Sequence, residues 1–283
     1  MPGCLALVHS VKKFHPDAKC IVVGYGITSN EITELETIGA QVIIDNEIYD
    51  PRLHGKARAT LFGMLNAGKD KELLHIDSDA WLLAPVDNIF RHLCDDGMLA
   101  FHDHRAGGIS AETIEELFGE KLKPIIFNAG IVFYKLGDLA KNLIHEFAWS
   151  MDNKRRQEEC GNQPTLRILA AKYQKMGMQV ILSHDAIHWN PIWSQAEQLV
   201  LEGEKWINEK TGKQQNIFHA TGGKNRKKGL NKPWQIPSEW ASSTLASFQW
   251  VGGILPTCDG SEKESSLLTD SSTIEPQETK TSS

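Results

Sequence analysis

Short apolar runs that suit buried strands alternate along the chain with segments whose apolar positions recur at helical spacing. The strand-like runs occupy residues 20–26, 41–46, 72–79, 97–103, 124–135, 178–183 and 215–220. The helix-like segments lie between them, at residues 3–14, 31–40, 57–68, 111–119, 136–149 and 163–177. This alternation favours an α/β fold with a largely parallel sheet flanked by helices.

The pattern predicts one folded domain over residues 1–255 and a disordered tail over 256–283. The tail is rich in Ser, Thr, Glu and Lys and has few large apolar residues, so it cannot bury enough surface to fold. The chain opens in a helix, whereas a nucleotide-binding α/β domain normally opens in a strand. We expect either that the first strand is missing from this chain or that the sheet is completed differently.

Composition excludes several classes of protein. The 283 residues carry a formal net charge of −6, which argues against a general nucleic-acid binder. No apolar run approaches the about 18 residues of a membrane span, and the N-terminus lacks the pattern of a signal peptide. Five scattered cysteines show neither metal-like spacing nor an even count for disulfides. A cytoplasmic protein is the resulting expectation.

Two carboxylates interrupt the apolar run LLHIDSDAWLL at residues 73–83. Asp77 and Asp79 stand two positions apart, so in an extended strand both side chains point to the same face. Two neighbouring carboxylates are costly to bury unless a cation neutralises them. Oxygen ligands at the carboxyl end of a strand suit Mg²⁺ or Mn²⁺. The alternative is a pair of solvated acids in a loop.

A second chemical signal lies in the segment IFHATGGKNRKKGLNKPW at residues 217–234. His219 follows an apolar strand and is a candidate third metal ligand. The glycine pair and the lysines after it make a candidate cradle for a diphosphate. A basic, solvated loop is the alternative interpretation.

Three segments together resemble a known family: DSD after an apolar strand, FNAGIVFY in mid-chain, and a late His-x-x-Gly with Lys-Pro-Trp. They resemble the GT-A-fold glycosyltransferases, and above all the retaining family of glycogenin and bacterial lipopolysaccharide galactosyltransferases. The resemblance covers roughly residues 3–235. It implies a GT-A-like, Rossmann-like mixed sheet flanked by helices, a UDP-sugar donor, Mn²⁺ or Mg²⁺, and a glycan, lipid, protein or small-molecule acceptor.

The resemblance also implies roles for individual residues. Asp77, Asp79 and His219 would hold the divalent ion. Catalytic positions beside the transferred sugar would belong to Asp103 and Gln163. The implied donor-binding residues are Arg58, Ser78, Asn128, Ala129, Gly130, Gly222, Lys224 and Lys232.

The chain departs from the family pattern at two places. It has Asn162-Gln163 where the family often has Asp-Gln, which leaves retention of the sugar's configuration open. Gly222 fits the His-x-x-Gly-x-x-Lys spacing of the family. Position 225, where this spacing places a lysine, is Asn225, and the Lys-Pro-Trp comes later, at Lys232. Either Lys224 or Lys232 therefore serves the phosphates.

Two other functions are compatible with the residues. His102, Asp103 and His104 could join the two aspartates in a metal-dependent phosphoester hydrolase. Alternation along a strand opposes this, because Asp103 would point away from both histidines. A non-catalytic GT-A-like binding or scaffold protein is favoured by Asn162 and by the absent first strand.

Overall fold

The computed structural model describes residues 2–46, 51–103, 109–189, 199–219 and 246–251. The roles predicted for His104, Gly222, Lys224 and Lys232 lie outside the described residues, as does the predicted tail. Within these ranges the chain is a mixed α/β structure, which confirms the predicted fold class.

Each predicted helical segment overlaps a helix, whereas the short helices over residues 87–92, 154–159 and 186–189 were not predicted. The helices are α1 (Pro2–Phe14), α2 (Ser29–Thr37), α3 (Pro51–Asn66), α4 (Ala111–Phe118), α5 (Asp138–Asp152), α6 (Lys154–Glu159), α7 (Asn162–Lys175) and α8 (Ala186–Trp189), and a 3₁₀ helix covers Asp87–His92. Local chemistry fixes some of their ends. Thr28 and Glu31 form a capping box at the start of α2, and Gly119 adopts a left-handed conformation after α4.

Twelve strands are present in the described residues. They are β1 (Lys19–Gly24), β2 (Ala40–Ile44), β3 (Glu72–Asp77), β4 (Ala80–Leu82), β5 (Gly97–His102), β6 (Phe127–Lys135), β7 (Gln179–Ser183), β8 (Leu199–Glu202), β9 (Lys205–Asn208), β10 (Lys213–Gln214), β11 (Ile217–His219) and β12 (Ala246–Val251).

Seven of these strands form the main sheet, in the order β2-β1-β12-β3-β6-β5-β7. The β1–β2 and β5–β7 pairs are parallel, whereas β6 and β12 run antiparallel to both of their neighbours. Alternate residues of β1 face opposite sides: Ile21 and Val23 join one buried cluster, and Cys20 and Val22 join the other. Both faces of the sheet are therefore covered, as its apolar strands predict.

The centre of the main sheet holds a strand that comes late in the sequence. Strand β12 lies between β1 and β3, with Ser247 opposite Val23 on one side and opposite Asp77 on the other. A strand from late in the chain therefore occupies the centre of the sheet. The reversed direction of β12 distinguishes it from a parallel opening strand.

The smaller strands and one strand end were not predicted correctly. The predicted strand 72–79 ends at Asp77, because Ser78 and Asp79 form a turn into β4. Strands β4 and β8 to β10 have two to four residues each, which is too short to show a period. Within the described residues, no helix has the length and apolar character needed to cross a membrane.

Truncation before Ala246 tests the role of β12. Without this strand, β1 and β3 lose their hydrogen-bonded partner in the middle of the sheet, and unpaired buried backbone groups are costly. We expect a protein ending at residue 245 to lose its cooperative unfolding transition in urea, followed by circular dichroism. A protein ending at residue 255 keeps β12 and serves as the control. Equal urea midpoints for the two truncations would contradict this role.

Candidate metal centre

A two-stranded ribbon brings distant parts of the sequence to one point. Strand β11 pairs antiparallel with β4, and this register sets His219 opposite Ala80, the residue after Asp79. The ribbon is fixed by Trp81 and Phe218, whose rings stack with centroids 4.5 Å apart. This pairing predicts that the imidazole and the two carboxylates lie together.

The three predicted metal ligands do converge. His219 Nε2 lies 3.2 Å from Asp79 Oδ1 and 3.9 Å from Asp77 Oδ2. One ligand atom from each of the three residues falls within 4.8 Å of the others. The His219 side chain is 1% exposed whereas that of Asp79 is 36% exposed, so the cluster is buried on one side and reachable from solvent on the other.

Asp77 is held by two further side chains. Lys56 Nζ, on α3, donates to Asp77 Oδ2 at 2.8 Å, and His75 Nε2 lies 3.3 Å from Asp77 Oδ1. Burial acts to raise the pKa of Asp77, but the Lys56 ammonium and the hydrogen bond from His75 outweigh it. Together they hold the pKa of the Asp77 carboxyl well below its usual range. Asp77 is therefore a carboxylate at neutral pH.

His75 is oriented from its other side by Thr60. Burial lowers the pKa of His75, which favours the neutral ring. The Thr60 hydroxyl lies 3.1 Å from His75 Nδ1 and donates to the Lys56 carbonyl at 2.8 Å. The Thr60–His75–Asp77 chain thus fixes one carboxylate oxygen in place.

Gly130 is the point of closest packing beneath the cluster. A Cβ atom at this position would lie 2.2 Å from His219 Cε1 and 2.9 Å from Asp77 Oδ2. The Gly130 N–H donates to Asn128 Oδ1 at 2.7 Å, so Asn128 also borders the site. The glycine in FNAG is therefore needed for His219 to approach the aspartates.

Gln163 is joined to the cluster through the backbone of Ala129. The Ala129 N–H donates to Gln163 Oε1 at 2.9 Å, and its carbonyl accepts from Lys56 Nζ at 2.9 Å. Since Lys56 also contacts Asp77, one continuous chain of contacts connects Gln163 with the metal ligands. The structure thereby brings Gln163 next to the predicted centre.

Asp103 is held at a neighbouring strand end by a buried arginine. Arg167, on α7, donates from Nη2 to Asp103 Oδ2 at 3.3 Å and from Nε to the Phe127 carbonyl at 2.6 Å. Phe127 precedes Asn128 in β6, so this contact connects Asp103 to the FNAG segment. This contact also argues against the hydrolase interpretation, in which Asp103 would join the two aspartates, because Asp103 faces Arg167. In the described part of the chain, the aspartate pair groups with His219 alone.

The two remaining described donor-binding residues have different surroundings. Arg58 pairs with Asp45, at the end of β2, with Nε 2.5 Å from Oδ2 and Nη2 3.2 Å from Oδ1. Ser78 is buried in the turn between the two aspartates. Their predicted contacts with a donor stay predictions.

Sequence reasoning missed three residues that support the site: Lys56, His75 and Arg167. A signal existed for His75, because it is the one polar residue inside the apolar run before Asp77 and it shares a strand face with that residue. Lys56 lies two positions before Arg58 in the same helix, so the sequence did not distinguish which cation faces the aspartates. The sequence held no signal for Arg167, because it looks like any other basic residue of an amphipathic helix.

A comparison with solved structures finds a match of low sequence identity. The galactosyltransferase LgtC, in complex with donor and acceptor sugar analogs, matches at 15% sequence identity and a TM-score of 0.48. The match covers 78% of this chain and 83% of that chain. No protein-family model matches the chain, and no curated protein matches it.

The side chains of Asp77, Asp79 and His219 are suitable ligands for a divalent ion. Two carboxylates and one imidazole offer mixed oxygen and nitrogen ligands, a combination compatible with Mn²⁺ and less suited to the all-oxygen preference of Mg²⁺. A separate cavity of about 610 Å³ lies between α1, the end of β4 and the β8–β9 hairpin. Its lining includes Leu82, Leu83 and Trp206 but none of the three candidate ligands, so it is not part of the metal centre.

Gly130→Ala tests the packing beneath His219. The added methyl group overlaps the imidazole, and overpacking of this kind costs about 1–3 kcal/mol. We expect at least about tenfold weaker Mn²⁺ binding by isothermal titration calorimetry, the size of effect seen when a ligand loses its orientation. Gly97→Ala, at a strand glycine away from the centre, is the control. Unchanged Mn²⁺ affinity in Gly130→Ala would refute the close approach.

Lys56→Met tests the ion pair that holds Asp77. In metal-free protein we expect a loss of about 1.5–3 kcal/mol of unfolding free energy at neutral pH, the range for a hydrogen bond to a charged group. Because the folded-state pKa of Asp77 is depressed, its contribution is complete above its unfolded pKa of about 4 and is lost as pH falls through the folded value. The difference in unfolding free energy between the wild type and Lys56→Met should therefore become smaller as the pH falls.

Urea unfolding of both proteins across this pH range measures the effect. Lys175→Met removes an exposed pair with Glu120 and should cost less than about 1 kcal/mol. A loss of unfolding free energy in Lys56→Met that is as small as the loss in Lys175→Met, or one that grows as the pH falls, would contradict the ion pair between Lys56 and Asp77.

Proposed function

We propose that the protein is a metal-dependent glycosyltransferase that moves a sugar from a UDP-sugar to an acceptor hydroxyl. The observation that carries this proposal is the convergence of Asp77, Asp79 and His219 on one point. His219 is far from the two aspartates in sequence, and the family resemblance implies the same role for all three residues. An acid pair at a strand's carboxyl end, joined by a buried histidine, suits an ion that binds a diphosphate.

The charges of the centre support a diphosphate as the ligand. Two carboxylates and the Lys56 ammonium leave a net charge of about −1 when the histidines are neutral. A bound divalent ion changes this to about +1, which is complementary to an anionic diphosphate. The ion would neutralise the negative charge that develops on the departing nucleoside diphosphate. The lysines predicted to flank that diphosphate, Lys224 or Lys232, would add to this effect.

The sugar would lie toward FNAG and α7. Asn128, Gln163 and Asp103 each contact a fixed group: the Gly130 N–H, the Ala129 N–H and the Arg167 guanidinium. Side chains held in this way can orient sugar hydroxyl groups without first losing conformational freedom. We assign Asn128 to donor binding, and Asp103 and Gln163 to positions beside the reacting carbon.

The stereochemical result depends on the group beside that carbon. Retaining transfer by a covalent route needs a nucleophile, and the Gln163 amide is not a carboxylate. Its Oε1 already accepts from the Ala129 N–H, which fixes one end of the amide. Retention remains part of the proposal, and the anomeric configuration of the first product, read by NMR, decides it.

Calorimetric titration with UDP tests the proposal directly. We expect UDP to bind only when Mn²⁺ is present, because the carboxylates repel the diphosphate without it. Asp79→Asn should weaken Mn²⁺-dependent UDP binding by at least about tenfold, since a charged ligand is lost. Asp17→Asn, an exposed acid away from the centre, should leave it unchanged. Absent binding, or equal binding with and without Mn²⁺, would count against the proposal.

Donor hydrolysis separates an enzyme from a non-catalytic binding protein. Many transferases release sugar to water slowly, so a panel of UDP-sugars incubated with Mn²⁺ and no acceptor should yield UDP. Asp79→Ala should abolish this release. Mn²⁺-dependent UDP binding without turnover on any donor would favour the binding or scaffold protein.

A further inference from the structure

A buried histidine outside the metal centre lies between an acid and a hydroxyl group. His188 Nδ1, on α8, contacts Asp185 Oδ1, and His188 Nε2 lies 2.8 Å from Thr211 Oγ1. The carboxylate fixes the ring so that Nδ1 donates to it and Nε2 accepts from the Thr211 hydroxyl. We call Asp185, His188 and Thr211 the hairpin latch, because Thr211 belongs to the turn between β9 and β10.

The surroundings of Thr211 indicate a structural role for the latch. The same order of acid, imidazole and hydroxyl occurs in hydrolases, where the hydroxyl is free to attack a substrate. Here Thr211 Oγ1 also accepts from the Lys213 N–H at 3.3 Å and lies 3.4 Å from the Asn208 carbonyl. These contacts place the hydroxyl within the turn itself, so it is a tie between two elements.

The base of the latch is anchored to the main sheet. Trp189, next to His188, is buried and stacks on Phe101 of β5 with ring centroids 6.0 Å apart and planes 5° apart. Its ring also meets Phe133 of β6 edge-on, with centroids 6.3 Å apart. Helix α8 is therefore a fixed point to which the latch attaches the hairpin.

A short series of hydrogen bonds leads from the latch to the metal centre. The His188 carbonyl accepts from the Asn216 N–H at 3.0 Å, and the Asn216 carbonyl accepts from the Leu83 and Ala84 N–H groups at 2.8 and 3.2 Å. Asn216 is the residue before β11. It thus connects α8 with the end of β4 at the place where the ribbon carrying His219 begins.

We propose that the hairpin latch is a positioning device for the third metal ligand, an inference that rests on the proposed function of the metal centre. His188 fixes two later points of the chain. Its side chain holds the turn before β10, and its carbonyl accepts from the Asn216 N–H. Residues 212–215 connect these two points and deliver β11 in register with β4. His219, three residues after Asn216, is oriented by that register and by Gly130.

Thr211→Val tests the latch, because valine keeps the shape of threonine but removes the hydroxyl. We expect about tenfold weaker Mn²⁺ binding by calorimetry, the effect typical of losing a group that orients a ligand. Thr211→Ser restores a hydroxyl and should recover most of the affinity. Thr33→Val is the matched control, since Thr33 donates to the Ser29 carbonyl of an exposed helix. Equal affinities for all four proteins would overturn the proposal.

Amide hydrogen exchange in metal-free protein separates this inference from the proposed function. Thr211→Val should increase exchange at residues 216–219 at least about threefold, while Thr33→Val and Thr211→Ser leave it at the wild-type rate. If wild-type protein binds no Mn²⁺, the proposed function fails, and the exchange result still decides whether the latch orders β11. Faster exchange in Thr211→Val together with unchanged Mn²⁺ affinity, or unchanged exchange, would overturn the positioning role.

Discussion

The pairing of β11 with β4 is the interaction on which the candidate centre depends. Neither strand is longer than three residues, and neither would be stable alone. They are held by the stacked Trp81 and Phe218 rings and by the contacts of Asn216 with the end of β4. A shift of one residue in this register would turn His219 to the opposite face of the ribbon. The chemistry therefore depends on a small structure that is supported mainly from outside, by the sheet and by α8.

Lys56 offsets part of the negative charge of the candidate centre. Its ammonium and the neutral His75 stabilise Asp77 as a carboxylate that would otherwise be costly to bury. Gly130 leaves space for the imidazole beside that carboxylate. A ligand set held in this way loses little conformational entropy on binding an ion, which favours affinity.

The long buried elements and the grouping of the three candidate metal ligands were predictable from sequence, whereas the supporting residues were not. Strands such as β3 and β6 are apolar on both faces and reveal themselves by composition, and Asp77, Asp79 and His219 are conspicuous because they end apolar runs. Lys56 and Arg167 lie on helices where cations are common, so only the tertiary structure shows which of them face inward. The position of β12 was not predictable either, because strand order is set by contacts between distant segments and not by local pattern.

The location of β12 has a consequence for the order in which this protein can assemble during synthesis. The ribosome makes β1 and β3 early, yet the strand that joins them is made after all of the other described residues. Until then the nascent chain carries two separate sheet fragments, each with an open edge that can pair wrongly. Contacts that span so much of the chain also slow folding. Because β12 pairs with both β1 and β3, the seven-stranded sheet cannot close until this strand has been made.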